Sequence, residues 1–93
     1  MKDEIQIGSV VLSTQGRDKG MYFVVRAVGK GVVFLADGGM RKLNAPKKKN
    51  VKHISHSGVI LETIALKLLS GKKVFDSEVK SALRQFNQQS NQQ

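Results

Sequence analysis

The sequence predicts a mainly β protein: a small antiparallel barrel followed by two short C-terminal α-helices. Three observations lead there. Seven of the nine glycines fall in the first 39 residues, where they separate short runs rich in Val, Phe, Tyr and Leu, the punctuation of hairpin-linked strands. From Val59 onward the apolar residues recur at helical rather than strand spacing. The length, 93 residues, suffices for one domain and leaves no room for a second core. The chain therefore reads as a β-barrel over residues 1–58, a helical hairpin packed on it over residues 59–86, and a polar tail over residues 87–93.

The first strand is expected over residues 8–14 and the second over residues 21–28, joined by a turn at Gln15-Gly16-Arg17-Asp18-Lys19-Gly20. Gly29-Lys30-Gly31 makes the next turn, because glycine supplies the positive φ that short hairpin loops need. A third strand follows over residues 32–36. Asp37-Gly38-Gly39 then turns the chain into a fourth strand over residues 40–43, with a fifth over residues 51–54. Strands this short, with no helix between them, close most economically into a barrel that removes exposed edges. In the second strand Phe23, Val25 and Ala27 share one face and Tyr22, Val24, Arg26 and Val28 the other. Neither face is polar, so this strand should be covered on both sides, with the C-terminal segment as the extra cover.

Leu61, Ile64, Ala65, Leu68 and Leu69 form the stripe of the first helix, with Gly71 as its stop. Asp76 reads as the N-cap of a second helix over residues 77–86, striped by Val79, Ala82, Leu83 and Phe86. The tail, Asn87-Gln88-Gln89-Ser90-Asn91-Gln92-Gln93, offers nothing apolar to bury and reads as disordered.

Charge is the strongest compositional signal. Sixteen Lys and Arg oppose seven Asp and Glu, a formal charge of +9. Residues 1–58 hold eleven of the bases and four of the acids, so +7 of that charge belongs to the β part. No acid occurs between Asp37 and Glu62, whereas Arg41, Lys42, Lys47, Lys48, Lys49 and Lys52 all lie there. Pro46 lacks a backbone donor, so Lys47-Lys48-Lys49-Asn50 reads as an exposed connection rather than a ladder strand. Phosphates would relieve the mutual repulsion of these ammonium groups and release counterions. Reversing their charge should then weaken binding without moving the thermal midpoint. Arg17 and Lys19, in the first turn, belong to the same basic set.

Other chemistries find little support. Absence of cysteine excludes disulfides, thiolate metal sites and cysteine nucleophiles. His53 and His56 are two ligands at most, so no metal or other cofactor is expected. No nucleophile stands with a base and an orienting acid at workable spacing, no carboxylate pair forms, and no phosphate-binding loop precedes a helix, so the chain is not expected to be an enzyme. The acidic N-terminus is unlike a secretory signal, and the most apolar stretch, residues 59–69, is too short to span a bilayer. A cytoplasmic protein without a membrane partner is the expectation. Aromatic residues are only 5% of the chain, which favours a contact that reads shape and phosphate over a base-stacking platform.

Gly8-Ser9-Val10-Val11-Leu12-Ser13-Thr14-Gln15-Gly16-Arg17-Asp18-Lys19-Gly20, continued by Met21-Tyr22-Phe23-Val24-Val25-Arg26-Ala27-Val28, resembles a KOW motif. With Arg41-Lys42-Leu43 and Lys48-Lys49-Asn50-Val51-Lys52-His53-Ile54, residues 5–55 resemble the small bacterial KOW-domain RNA-binding proteins. Those are similar to a family of archaeal and eukaryal large-subunit ribosomal proteins. The resemblance implies an SH3-like barrel that binds structured, ribosomal RNA in ribosome assembly or translation, with no cofactor. It makes Gly16 and Gly20 loop-shaping, and Arg17, Lys19, Arg41, Lys42, Lys47, Lys48, Lys49 and Lys52 RNA contacts. Asp18 reads as a hydrogen-bonder within its own turn, because carboxylate and phosphate repel. The competing reading is a protein–protein interaction module of a transcription or translation complex, with the helices presenting a groove.

Overall fold

The computed structural model describes residues 4–89. Five antiparallel strands, β1 (Ser9–Ser13), β2 (Tyr22–Val28), β3 (Val32–Ala36), β4 (Lys47–Asn50) and β5 (Ile54–Ile60), form one open sheet in the order β4-β3-β2-β1-β5. Two helices follow, α1 (Glu62–Leu69) and α2 (Asp76–Gln89). The first three strands lie within one residue of their expected bounds, since Val-rich runs bounded by glycine are unambiguous. No residue pairs join β4 to β5, so the sheet is not closed. Its two edge strands are nonetheless consecutive in the chain, linked only by a 3₁₀ turn at Val51–His53. Three intervening residues keep the end of β4 within roughly 14 Å of the start of β5, so the sheet is curled rather than flat.

The curl sorts the apolar residues into two clusters. Val11, Phe23, Val25, Val33, Leu35 and Ile54 fill the inside of the curled sheet. Val10, Val24 and Ala36 point the other way and pack beneath Leu43, Ile64, Val79 and Leu83. Alternation along β2 thus serves both layers, which is why neither of its faces is polar. The outer layer explains the helices: a sheet with two apolar faces needs a cover, and helices of eight and fourteen residues need a surface to bury their stripes. Tyr22 completes this layer, its ring 5.3 Å from that of Phe86.

Four expected boundaries are corrected. Residues 40–43 are loop, and the fourth strand is the lysine run Lys47–Asn50, paired with β3 from Val32↔Asn50 to Leu35↔Lys47. Pro46 does not forbid this, because it stands just before an edge strand. Residues 51–53 are a 3₁₀ turn, and the last strand runs on to Ile60 before α1 begins at Glu62. Asp76 is the first residue of α2 rather than its cap: its Oδ1 accepts from Leu43 N–H at 2.7 Å. Phe75 is the capping position, its N–H donating back to Glu78 Oε1 at 3.0 Å. Finally, α2 continues to Gln89, and Asn87 Oδ1 accepts from Tyr22 N–H at 2.9 Å. The start of the expected disordered tail is therefore helix, and its last four residues lie outside the described ones.

The end of α1 follows expectation. Gly71 N–H donates to Leu68 C=O and Lys72 N–H to Lys67 C=O at 2.8 Å, the double closure of a glycine-terminated helix. Between the helices Lys67 Nζ meets Glu78 Oε2 at 2.7 Å, with both side chains about one-third exposed. Replacing Lys67 by alanine should leave the midpoint of a denaturant titration close to that of the parent protein, as for most exposed pairs. No described helix is long and apolar enough to cross a membrane.

Candidate functional site

The β1–β2 turn is the first wall of the site. Gly16 and Gly20 stand at φ +92° and +91°, a region costly for any residue with a Cβ. Lys19 N–H donates to Gly16 C=O, Met21 N–H to Asp18 C=O and Gly20 N–H to Ser13 C=O, so two tight turns overlap. This doubling pushes Arg17 and Lys19 into solvent and folds Asp18 back against the sheet.

Asp18 meets the edge strand there. Lys49 Nζ lies 2.7 Å from its Oδ1 and Lys47 Nζ 2.9 Å from its Oδ2. Ser13 Oγ donates to Oδ1 at 2.7 Å, and Lys49 Nζ also donates to Gln15 C=O at 2.7 Å. The Lys49 side chain is only 6% exposed and that of Asp18 16%. Burial alone would raise the Asp18 carboxyl, but hydrogen bonds from Lys49, Ser13 and Lys47 and the Lys49 charge overcome it, holding the group well below the usual carboxylate range. The carboxylate therefore stays ionised and fastens β4 to the first turn across the curl of the sheet.

The second wall is the loop between β3 and β4. Asp37 Oδ1 accepts from Gly39 N–H at 2.8 Å and Arg41 N–H at 2.9 Å, which folds the loop tightly. Asp37 N–H and Gly38 N–H both donate to Arg41 C=O. Asp76 of α2 holds the loop's far end through Leu43. Between the walls runs a groove of about 380 Å³ lined by Arg17, Asp18, Met21, Phe23, Asp37, Met40, Arg41 and Lys47.

The basic residues singled out by sequence thus separate. Arg17, Arg41 and Lys47, drawn from three different segments, gather around the groove. Lys19, Lys42, Lys48 and Lys52 are exposed but lie outside it, and Lys48 faces away from Lys47 and Lys49 by strand alternation. Lys49 is buried on Asp18, not displayed to solvent. The expectation of an exposed triplet is corrected accordingly, and with it the expectation that reversing all three charges would leave stability unchanged. Asp18 is more than a hydrogen-bonder of its own turn. Sequence reasoning missed the Asp18 clasp and the groove's Met21, Met40 and Asp37. One signal was present: an acid-free run of bases can draw in a carboxylate from elsewhere in the chain, and Asp18 is the acid inside the exposed first turn.

His56 Nδ1 accepts from Gly58 N–H at 2.9 Å, and among the described residues no three His, Asp or Glu side chains gather as metal ligands. Every buried side-chain N or O among the described residues has a hydrogen-bond partner.

A scan of the chain against models of known protein families finds no match, and a search of curated proteins finds no relative.

Proposed function

We propose that the protein is a non-catalytic RNA-binding module whose β1–β2 turn and β3–β4 loop hold structured RNA by its phosphates. The observation that carries this reading is the convergence of Arg17, Arg41 and Lys47 on one groove from three separate segments. Arg17 and Arg41 are exposed and form no ion pair among the described residues, where the one acid that approaches Lys47 is already shared with Lys49. Guanidinium groups suit phosphate because their planar fork donates two hydrogen bonds at once. Lys19, Lys42, Lys48 and Lys52 extend the positive field around them. Gly16 and Gly20 let a phosphate approach the turn backbone.

Within the same proposal the curled sheet is an SH3-like barrel of the KOW type. Its support is the three-residue link between the edge strands, the apolar cluster enclosed by the curl, and the Asp18 clasp across the gap. A ribosomal RNA partner follows only from the resemblance of residues 5–55 to KOW-domain proteins.

Salt titration tests the proposal. With about six phosphates neutralised, log affinity for an RNA hairpin should fall against log salt with a slope of about −4 to −6. Arg17→Glu combined with Arg41→Glu should weaken binding and reduce that slope by about 1.5, at about 0.7–0.9 per lost contact. Both side chains are exposed, so the thermal midpoint should barely move. A flat salt dependence would sink the electrostatic account.

A second reading, a protein-interaction module, draws on different residues. Leu66 and Leu69, three apart on α1, are 67% and 66% exposed, and Phe75 beside α2 is 58% exposed. If Leu66→Glu abolishes association with a cellular partner while RNA binding persists, the helices serve a separate purpose.

A further inference from the structure

A groove made only for phosphate would be lined by cations and backbone amides. This one also holds the two methionines Met21 and Met40, 41% and 88% exposed, whereas Phe23 beside them is buried. An apolar side chain so open, on a loop held rigid by five hydrogen bonds to Asp37, Gly38 and Leu43, is positioned without being buried. Two carboxylates, Asp18 and Asp37, line the same space, and neither would help to hold a phosphate.

We propose that the groove captures one unpaired base of the RNA, with the flanking phosphates on Arg17 and Arg41. This inference rests on the RNA-binding reading above. The groove's 380 Å³ lies in the size range of small-ligand pockets, about 300–1,000 Å³. A base has two flat apolar faces and a polar edge. Thioethers suit the faces, since methionine is polarisable and adapts its shape to what it covers. A base within a duplex is stacked on both sides and cannot enter, so the target is a bulged or looped nucleotide.

The edge is read by Asp37. Both Asp18 oxygens are taken by Lys47, Lys49 and Ser13. In Asp37 only Oδ1 is engaged, by Gly39 and Arg41 N–H, and Oδ2 has no partner among the described residues. A carboxylate oxygen accepts from the exocyclic amine of cytosine or adenine and repels the carbonyl that uracil carries in its place. The site therefore prefers an amine-bearing base over uracil. Asp37→Asn keeps the turn, because the amide oxygen still accepts from Gly39 and Arg41, and it places an NH₂ donor where Oδ2 was.

Fluorescence anisotropy with four labelled RNA hairpins tests this. They share one stem and carry a single bulged cytosine, a bulged uracil, an abasic bulge or no bulge. The cytosine bulge should bind about tenfold more tightly than the paired stem, near the low end of what one base gains by stacking on an aromatic ring. The abasic bulge should bind like the paired stem, and the uracil bulge between the two. Met21→Ala with Met40→Ala should bring the cytosine bulge down towards the paired stem, and Met40→Ala alone, at a fully open position, should take it part of the way. Asp37→Asn should reverse the cytosine and uracil order. Equal, measurable binding of bulged and paired stems would overturn base capture while leaving the RNA-binding reading standing. An abasic bulge that binds as well as cytosine would overturn it too, and equal binding of the two pyrimidines would remove the Asp37 contact. Binding of none of the four would take down the RNA reading and this inference with it.

Discussion

Gly38→Ala should lower the thermal midpoint by about 12 °C or more. Gly38 is buried, stands at φ +80°, and carries no side chain because none fits: an added Cβ would overlap the backbone carbonyl of Asp76 and crowd the backbone N–H of Lys80, 2.8 Å away. Neither atom belongs to a flexible side chain that can swing aside. The left-handed backbone costs about 1–2 kcal/mol for a residue with a Cβ, and forced overpacking adds about 1–3 kcal/mol. A total near 3 kcal/mol is a large share of the roughly 5–15 kcal/mol that hold a small domain together, and each kcal/mol shifts the midpoint of a domain this size by about 4–8 °C. Gly58→Ala is the control. Gly58 has φ +91° with nothing within 4 Å of the added carbon, so it bears the backbone cost alone. The difference between the two variants, read in paired thermal melts, isolates the docking of α2 on the loop that carries Met40 and Arg41. Equal melting of the two would mean that α2 does not rest on Gly38.

The same contact shows how far sequence reasoning reaches. The strands β1, β2 and β3 are legible because β-branched runs and glycine turns encode them locally, and the double covering of β2 is legible because Tyr22, Val24, Phe23 and Val25 leave it no polar face. The strand β4 is not legible. Three consecutive lysines have no hydrophobic alternation, so nothing in Lys47-Lys48-Lys49 says which one turns inward. Only the pairing with Val33 on β3 and the approach of Asp18, 31 residues earlier, decide it. The strand β5, Ile-Ser-His-Ser-Gly-Val-Ile, is masked for a related reason: its apolar residues sit at its two ends, and Val59 and Ile60 blend into the helical stripe that follows.

The site is legible in the same partial way. Charge density pointed to Arg17, Arg41 and Lys47, but composition cannot separate a lysine that faces solvent from one that holds the fold. Residue type also hid the loop's purpose. Met40 and Arg41 suit an apolar–polar alternation and so imitate a strand, whereas Asp37, through two backbone N–H groups, makes the segment a folded loop. Local propensity lost there to side-chain capping, a competition that Asp and Asn win often in turns.

Asp18→Asn should destabilise the protein by about 3 kcal/mol at neutral pH, because it removes the only carboxylate among the described residues that compensates the buried Lys49 ammonium. The upper end of the usual penalty, about 3–5 kcal/mol, is not expected, since Asp18 keeps some solvent contact and an amide oxygen still accepts one bond. The cost should depend on pH with a definite sign. Because the folded Asp18 carboxyl is depressed, its stabilisation is complete above the unfolded value of about 3.9 and is lost as pH falls from there through the folded value. Urea titrations of both proteins at descending pH should therefore show a constant gap down to about pH 5 and a narrowing gap below about pH 4. Glu78 is lowered too, first by Lys67 and then by the Phe75 N–H, but it is present in both proteins and cancels from the gap. Lys48→Ala, on the opposite face of the same strand, should change stability by no more than about 0.5 kcal/mol, and Lys49→Ala should approach the Asp18→Asn loss. A gap that stays constant down to the lowest pH, or a Lys48 variant as damaged as the Lys49 variant, would place the clasp elsewhere. The outcome also bears on RNA. Asp18 absorbs two of the lysines that composition assigns to phosphate, so freeing Lys47 by Asp18→Asn should strengthen RNA binding at a pH where the variant remains folded, even as it weakens the fold.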